Sequence, residues 1–311
     1  MKILLTGGAG FIGSHLVEKL INDGNSVICI DDFSSGLISN LRENNLLKVV
    51  NNKIQNIELT DLQHNIDCIY HLAAQSSVPL SIDNYYNSSS NNLLGCLKVW
   101  DIAIKLDIPI IYASSSAVYG NLPIGNDKLE KYEILSPYAQ DKLMMEQYAR
   151  MCWNIYRIPS IGLRFFNVYG PRQDPTNPYS GVISIFIDRL IRNQPVTVNG
   201  GHQTRDFIFV GDIVDIMVQS MEHIINKRSC EIMNVGTGVS ITIDNLLDII
   251  AGIMNVKPKV FMKELPPGDP EKSGGTYEKL TKTLNIDIDH FVKLEDGLRT
   301  TIDYIKKEQG L

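Results

Sequence analysis

TGGAGFIGSH, residues 6–15, is the stretch that decides the fold of this chain. It follows the apolar run Lys2–Leu5, which predicts a strand, and precedes Leu16–Ile21, whose apolar spacing predicts a helix. Gly7 allows a tight turn, Gly10 lets the backbone approach a pyrophosphate closely, and Gly13 lets the helix pack closely on the strand. Because the helix N-terminus offers free N–H groups and a positive dipole end, the stretch predicts a dinucleotide site.

A pair of carboxylates after the next predicted strand supports this interpretation. Val27–Ile30 predicts that strand, and it ends at Asp31 and Asp32, about 20 residues past the glycines. A carboxylate at this distance accepts hydrogen bonds from the ribose of NAD and repels the 2′-phosphate of NADP. The sequence therefore predicts NAD as the cofactor. The alternative is an ordinary strand, turn and helix followed by an acidic surface loop.

The composition bounds the class of protein. A length of 311 residues gives room for two domains, or for one large domain with a lobe. The hydrophobic fraction of 44% and charged fraction of 21% are typical of a soluble globular protein, and a net charge of −6 predicts no nucleic-acid partner. Five scattered cysteines without a CxxC pair predict reduced thiols in a cytoplasmic protein. We expect no signal peptide, no membrane span and no metal site.

The first half of the chain alternates strand and helix signals. The predicted strands are Lys2–Leu5, Val27–Ile30, Asp67–His71, Pro109–Ala113 and Gly162–Phe166. The clearest predicted helices between them are Asn92–Lys105 and Pro137–Cys152. This alternation predicts an α/β fold with a doubly wound parallel Rossmann sheet, whose ligands lie at the carboxyl ends of the strands.

The second half is less regular and predicts a smaller α/β lobe. An irregular passage is marked by Pro171, Pro175, Pro178 and Gly181. The elements predicted after it are the helices Val182–Arg192, Asp212–Ile225, Asp244–Met254, Tyr277–Leu284 and Leu294–Lys306, and the strands Pro195–Val198, Phe207–Val210 and Glu231–Val235. We expect the last two strands to return to the main sheet. The predicted NAD-binding domain is therefore 1–170 with about 206–238, and the predicted lobe is 171–205 with 239–311.

Two segments carry candidate acid–base chemistry. Ser136 and Pro137 suit the cap and first position of a helix, on which Tyr138 and Lys142 then share one face. An ammonium or an oxidised nicotinamide near a phenol lowers the pKa of the phenol, which could then act as a general base. A Tyr–Lys pair of this spacing is common, and alone it predicts only an exposed pair.

The segment Tyr112–Gly120 makes the chemical interpretation stronger. A predicted strand runs directly into three serines, Ser114, Ser115 and Ser116. Their hydroxyls would lie at the carboxyl edge of the sheet, where one of them could share a proton with Tyr138 and a substrate. The alternative is that these serines only form a turn.

At this point the sequence resembles the extended short-chain dehydrogenase/reductase family, and within it the nucleotide-sugar 4-epimerases typified by UDP-glucose 4-epimerase. The resemblance covers essentially the whole chain. Its markers are TGGAGFIGSH (6–15), HLAAQSSV (71–78), NNLLGC (91–96), SSSAVYG (114–120), YAQDK (138–142), RFFNVYGPRQ (164–173), QTRDFIFV (203–210), MNVGTG (233–238) and PGD (267–269).

The resemblance implies a set of NAD contacts along the predicted cleft. These are Gly7, Gly10, Phe11, Ile12, Gly13, Asp31, Asp32, Phe33, Ser34, Ser35, Gly36, Glu58, Leu59, Leu72, Ala73, Ala74, Gln75, Asn92, Tyr138, Lys142 and Phe166. Glu58 stands where the family usually has Asp. The implied catalytic residues are Ser115, Tyr138 and Lys142.

The resemblance also implies a nucleotide-sugar site in the lobe. Its residues are Ser76, Ser115, Ser116, Tyr138, Asn167, Val182, Arg205, Asp269 and Ser273. Asn167 and Arg205 would hold the diphosphate, and Asp269 the uridine ribose. The family usually has Arg two residues before its Gly-Asp, where this chain has Pro266. One phosphate contact is therefore missing or comes from elsewhere.

The implied reaction is 4-epimerisation of a UDP-hexose through a 4-keto intermediate, with NAD restored in each cycle. Tyr138 would remove the proton of the 4-hydroxyl, and Ser115 would hydrogen-bond the same oxygen. Dehydratases of the family carry Asp-Glu after the catalytic Thr, and decarboxylating relatives keep the Glu. Here Ser116 and Ala117 stand at those places, which disfavours both reactions. A non-catalytic NAD-binding protein would typically lack the Tyr or the Lys.

The choice of hexose and the assembly are the least constrained predictions. Relatives with a bulky Tyr at the place of Ser273 exclude N-acetylated sugars, so a small residue predicts UDP-N-acetylglucosamine and UDP-N-acetylgalactosamine as substrates, with UDP-glucose and UDP-galactose as further candidates. UDP-glucuronate stays open. Asn92–Lys105 and Pro137–Cys152 match the helices that pair in the dimers of the family, which predicts a homodimer.

Overall fold

The computed structural model describes residues 1–62, 65–176, 180–266 and 268–311. Pro178 and Pro267, named above, lie outside the described residues. The strands are β1 (Lys2–Thr6), β2 (Ser26–Asp31), β3 (Leu47–Asn51), β4 (Cys68–His71), β5 (Ile110–Ser115), β6 (Ser160–Phe165), β7 (Asn167–Tyr169), β8 (Val196–Asn199), β9 (Thr204–Phe209), β10 (Cys230–Val235), β11 (Ser240–Thr242) and β12 (Val260–Lys263). The helices are α1 (Phe11–Asn22), α2 (Val78–Asp83), α3 (Tyr85–Leu106), α4 (Pro137–Tyr156), α5 (Val182–Ile191), α6 (Val210–Asn226), α7 (Ile243–Met254), α8 (Glu278–Leu284) and α9 (Leu294–Glu308).

The main sheet has seven parallel strands in the order β3-β2-β1-β4-β5-β6-β10. The chain builds outward from β1 to β3 and then continues from β4 on the other side of β1. Between β1 and β4 the direction of building therefore reverses, and such a switch point opens a crevice at the carboxyl ends of the strands. The predicted doubly wound Rossmann fold is confirmed.

Both faces of this sheet are buried because its apolar residues alternate between two cores. Ile3 and Leu5 of β1 pack with α1 and α6 on one face, whereas Leu4 packs with α3 and α4 on the other. Side chains of a strand alternate between the faces of a sheet, and parallel strands covered by helices therefore read as continuous apolar runs. This packing fixes α1 and α4 against the carboxyl half of the sheet, where their N-terminal ends reach the crevice.

The lobe contains two smaller sheets and the helices α5, α7 and α9. One sheet has the order β11-β9-β7 and the other pairs β12 with β8. The prediction that Phe207–Val210 joins the main sheet is wrong, because β9 pairs with β7 instead. The position next to β6 is filled by β10, so β9 has no free neighbour there. The strand β3 was not predicted; it forms the outer edge of the sheet next to β2, and its side chains are only partly buried.

The predicted division into domains remains a proposal. A separate hydrophobic core joins α5, α7, α9 and β8. Phe207 of β9 belongs to this core, so the segment from 206 contributes to the lobe before it returns to the main sheet at β10. Within the part of the chain that the structure describes, none of the helices is both long and apolar enough to cross a membrane.

Candidate active site

A cleft of about 680 Å³ lies over the switch point of the main sheet. The glycine turn forms its floor, and only glycine fits there. Gly7 has φ +76°, and a Cβ on Gly13 would lie 2.1 Å from the carbonyl oxygen of Gly7. Helix α1 begins at this turn with no side-chain cap and no acidic residue in its first turn. Its N–H groups and positive dipole end therefore suit a pyrophosphate, and the cleft fits a dinucleotide.

Asp31 closes the cleft at the end of β2. Its carboxylate accepts hydrogen bonds from the backbone N–H groups of Ala9, at 2.8 Å, and of Phe33, at 2.9 Å. Burial raises the pKa of this carboxyl, and these two bonds lower it in part. Asp31 thus supports the glycine turn as well as lining the cleft at the position where a ribose is expected.

Most of the residues predicted to contact the cofactor line this cleft. They are Gly7, Gly10, Phe11, Ile12, Gly13, Asp31, Asp32, Ser34, Ser35, Gly36, Leu72, Ala73, Ala74, Gln75, Tyr138, Lys142 and Phe166. Four others do not reach it: Phe33, Glu58, Leu59 and Asn92. Glu58 is exposed and pairs with Lys98 at 3.6 Å, and Asn92 is buried, donating to Asp141 at 3.0 Å.

Residues after β3 line the cleft although the sequence did not single them out. They are Asn52, Lys53, Ile54 and Gln55. The run Leu47–Asn51 carries the signal that could have found them, because a further parallel strand beside β2 brings its own carboxyl end to the same edge. They lie beyond Asp31, on the side of the cleft where the adenosine half of a dinucleotide is expected.

Tyr138, Ser115 and Lys142 meet at the deep end of the cleft. Ser136 caps α4 by accepting from the N–H of Ala139 at 3.2 Å, which places Tyr138 in the first turn. Lys142 is 3% exposed; its Nζ lies 5.6 Å from the ring centroid of Tyr138 and donates to the carbonyl of Ala113 at 2.7 Å. The predicted cluster is therefore assembled, with Ser115 at the end of β5.

Burial has the largest effect on the pKa of Tyr138, and it acts against the lowering expected from Lys142. Burial raises the pKa of Tyr138, a hydrogen bond with Ser115 lowers it in part, and Asp141 raises it further. Burial also lowers the pKa of Lys142 to about 8. The ammonium lies over the ring and donates to a backbone carbonyl.

A second cavity of about 220 Å³ adjoins the cleft. Ser76, Ser115, Tyr138, Phe165 and Phe166 line both spaces, so the cluster stands at their junction. The other predicted substrate residues that line the second cavity are Ser116, Asn167, Arg205, Asp269 and Ser273. Val182 lines neither space: it begins α5 and packs against the core of the lobe.

The second cavity contains an ion pair and an additional cation. Arg205, 7% exposed, pairs with Asp269 and donates to the carbonyl of Thr204 at 2.8 Å. Lys272 also lines the cavity, and the sequence reasoning missed it. Since Pro266 supplies no charge, Arg205 and Lys272 are the two cations of this wall that a diphosphate could approach.

A Rossmann cleft joined through a Tyr–Ser–Lys cluster to a second polar cavity defines an NAD-dependent enzyme of the extended short-chain dehydrogenase/reductase class. The family model described as NAD dependent epimerase/dehydratase matches residues 3–236. The chain belongs to this family, and NAD is its cofactor.

Solved structures of this family cover nearly the whole chain. UDP-N-acetylglucosamine 4-epimerase from Methanobrevibacter ruminantium, in complex with UDP-N-acetylmuramic acid, is 33% identical with a TM-score of 0.92, and the match covers 99% of this chain and 98% of that one. UDP-glucose 4-epimerase from Thermotoga maritima, with UDP-glucose, is 34% identical with a TM-score of 0.92, covering 99% and 100%. UDP-glucuronic acid 4-epimerase from Bacillus cereus, in complex with UDP-glucuronic acid and NAD, is 30% identical with a TM-score of 0.91, covering 99% and 100%.

Proposed function

We propose that the protein is a UDP-sugar 4-epimerase. The observation that carries the proposal is the place of Tyr138 and Ser115 at the junction of the dinucleotide cleft and the second cavity. Dehydration or decarboxylation would need a further acid or base beside Ser115. Ser116 and Ala117, which line the second cavity there, supply neither. Relatives that act on three different UDP-sugars share the fold.

Each residue of the cluster has a distinct role in this proposal. Tyr138 takes the proton of the sugar 4-hydroxyl and later returns it, and Ser115 hydrogen-bonds the same oxygen. The ammonium of Lys142 donates to the carbonyl of Ala113, and Lys142 orients the nicotinamide in the cleft. NAD, when bound, supplies a hydride acceptor that is restored at the end of each cycle. Arg205 and Lys272 hold the diphosphate, so that the sugar can turn while the nucleotide stays fixed.

The test is separate incubation of the purified protein with UDP-glucose, UDP-N-acetylglucosamine and UDP-glucuronate, followed by analysis of the sugar released by mild acid. We expect the 4-epimer of at least one of them, with no added NAD, because a cycle without net oxidation needs no exchange of cofactor. Failure to convert all three substrates by a protein that contains NAD would contradict the proposal.

For the sugar, we propose N-acetylhexosamines as well as plain hexoses. Ser273 lines the second cavity, and its backbone N–H donates to the carbonyl of Thr204 at 3.1 Å, which fixes this wall next to Arg205. A small side chain here leaves room for a 2-acetamido group. UDP-glucuronate is the second candidate, because a UDP-glucuronic acid 4-epimerase that is 30% identical shares the fold.

Ser273→Tyr is expected to abolish most epimerisation of UDP-N-acetylglucosamine and leave that of UDP-glucose. Overfilling a packed site typically costs about 1–3 kcal/mol, and here the added ring competes only with the acetamido group. The kcat/KM of both substrates is the measurement. Equal effects on the two substrates would show that Ser273 does not face the sugar.

We propose that the protein forms a homodimer through α3 and α4. Both helices carry large exposed apolar residues, among them Tyr86 at 76%, Leu94 at 53% and Ile155 at 64% exposure. Two helices of one chain that pack on each other can pair with the same two helices of a second copy in a symmetric, self-complementary contact. Sedimentation velocity should show a dimer that Leu94→Arg converts to a monomer; a wild-type monomer at micromolar concentration would refute it.

A further inference from the structure

A buried row of polar residues crosses the main sheet at the candidate active site, and its first member, Ser114, lines the cleft. Ser114, Arg164 and Asn234 are register partners on the neighbouring strands β5, β6 and β10. All three side chains are buried. The next register row toward the carboxyl edge starts with Ser115. Ser115 follows Ser114 directly on β5, so a shift of the strand at Ser114 would also move the backbone of Ser115.

Glu146 connects this row to the helix that carries Tyr138. Its carboxylate accepts two hydrogen bonds from Arg164, at 2.7 and 2.6 Å, and one from the hydroxyl of Ser114 at 2.5 Å. The side chains of Glu146 and Arg164 are each 1% exposed. Tyr138, Lys142 and Glu146 follow one another at intervals of four residues, so they share one face of α4.

Arg164 extends the network to the wall of the second cavity. Its guanidinium donates to the hydroxyl of Tyr119 at 2.5 Å and to that of Tyr132 at 3.3 Å. It also lies 5.0 and 5.2 Å from the centroids of these rings, within the range of cation–π attraction. Tyr119, which lines the second cavity, donates in turn to Asn234 at 2.7 Å.

A buried ion pair of this kind is a weak source of stability, because removing two charges from water offsets most of their attraction. Its hydrogen bonds are directional, however, and a bidentate pair specifies both distance and orientation. Here the pair orients α4 relative to β6, which carries Arg164. The hydrogen bond from Ser114 to Glu146 then joins α4 to β5, so the network connects the two elements of the catalytic cluster.

We propose that Glu146, through Arg164 and Ser114, is a positioning residue that sets where Ser115 lies relative to Tyr138 at the junction of the two cavities. The proposal rests on the acid–base roles given to Tyr138 and Ser115 in the proposed function. Because Ser115 lowers the pKa of Tyr138 against the effect of burial, a displaced Ser115 would leave the phenol harder to ionise. Asp141 and Lys142, the charged groups nearest to Tyr138 on α4, are left in place by changes at Ser114.

The main test is Ser114→Ala, with Ser220→Ala as the matched control. Ser220 is also fully buried, but its hydroxyl donates only to the carbonyl of Ile216 in its own helix, at 2.7 Å. For Ser114→Ala we expect kcat to fall about 10- to 100-fold, as for a slightly misplaced catalytic group, with KM unchanged and the acid limb of the kcat profile moved to higher pH. Ser220→Ala should have the kcat, the KM and the pH profile of wild type.

Two further variants test the chemistry of the contact. Ser114→Thr keeps the hydroxyl that donates to Glu146 and should recover most of the lost kcat. Glu146→Gln keeps the shape but removes the charge, and a larger fall in kcat with the same shift in pH profile is expected if it folds. Where it does not fold, the two variants of Ser114 decide the question.

The proposal is overturned if folded Ser114→Ala has the kcat and pH profile of wild type, or if its loss of kcat is shared by Ser114→Thr and Ser220→Ala. Titration of the Tyr138 phenol, followed by ultraviolet difference against Tyr138→Phe, needs no substrate. It should show a higher pKa in Ser114→Ala, and an unchanged pKa would also overturn the proposal. If wild type epimerises no UDP-sugar, the proposed function fails, whereas this titration still reports the position of Ser115.

Discussion

Tyr138→Phe is expected to lower the turnover of a UDP-sugar by about 10²–10⁴-fold, the range that a positioned general base contributes. Phenylalanine keeps the ring over which the Lys142 ammonium lies but removes the oxygen that accepts the proton. Arg205 in the second cavity and the glycine turn are not touched. The measurement is kcat for epimerisation, together with the Kd of UDP and the NAD content of the purified variant, both of which should stay at wild-type values.

Ser115→Ala is the companion variant. It removes one hydrogen bond to the same oxygen and should reduce kcat less than Tyr138→Phe does. Because burial raises the pKa of Tyr138, wild-type kcat/KM should rise with pH through neutrality and above, as the phenolate fraction grows. That rise should vanish in the residual activity of Tyr138→Phe. Wild-type turnover in Tyr138→Phe would mean that another group accepts the proton.

Gly13→Ala is expected to yield a protein that is purified without NAD and unfolds at a lower temperature. The new Cβ would lie 2.1 Å from the carbonyl oxygen of Gly7 and 2.8 Å from the Cα of Gly8. Both are backbone atoms, so the turn itself must move, at a cost of about 1–3 kcal/mol in the free energy of unfolding. Loss of bound NAD would remove its stabilisation of the folded state in addition.

The matched control for this variant is Gly252→Ala. Gly252 lies in α7, where a Cβ would have nothing within 4 Å and the backbone does not have a positive φ. Alanine favours helix over glycine by about 1 kcal/mol, so this variant should keep its NAD and be as stable as wild type or more stable. NAD released on denaturation, and the melting temperature of each variant, are the measurements. A Gly13→Ala protein with full NAD content would contradict the close packing described for the turn.

Much of the fold follows from local patterns in the sequence. Apolar runs of strand length that alternate with helical spacing predicted the strands on both sides of β1, and the glycine turn predicted where the cleft lies. These signals are local because a strand or a turn is determined by neighbouring residues. The chemistry was equally local: Tyr138 and Lys142 share a helix face by spacing, and Ser115 ends a strand.

Local sequence patterns did not predict the strand β3 or the pairing of β9 within the lobe. Leu47–Asn51 is an outer strand with partly exposed side chains, so it lacks the strong apolar signal of a central strand. The segment that begins at Phe207 has the apolar sequence of a buried strand, but the sheet that it joins depends on the pairing of Phe207 with Asn167. Such a pairing joins residues far apart in the chain, and neither segment encodes it by itself.

The sequence by itself determined the class of fold and NAD as the cofactor, and it singled out Tyr138, Ser115 and Lys142 as candidates, because each depends on residue types at short spacing. Only the tertiary structure decided their environment. It placed Arg205 against Asp269 and joined Glu146 to Arg164 and Ser114. It also buried Tyr138, which raises the pKa of the phenol. Distance, burial and charge pairing depend on how separate elements pack, and that information is spread over the whole chain.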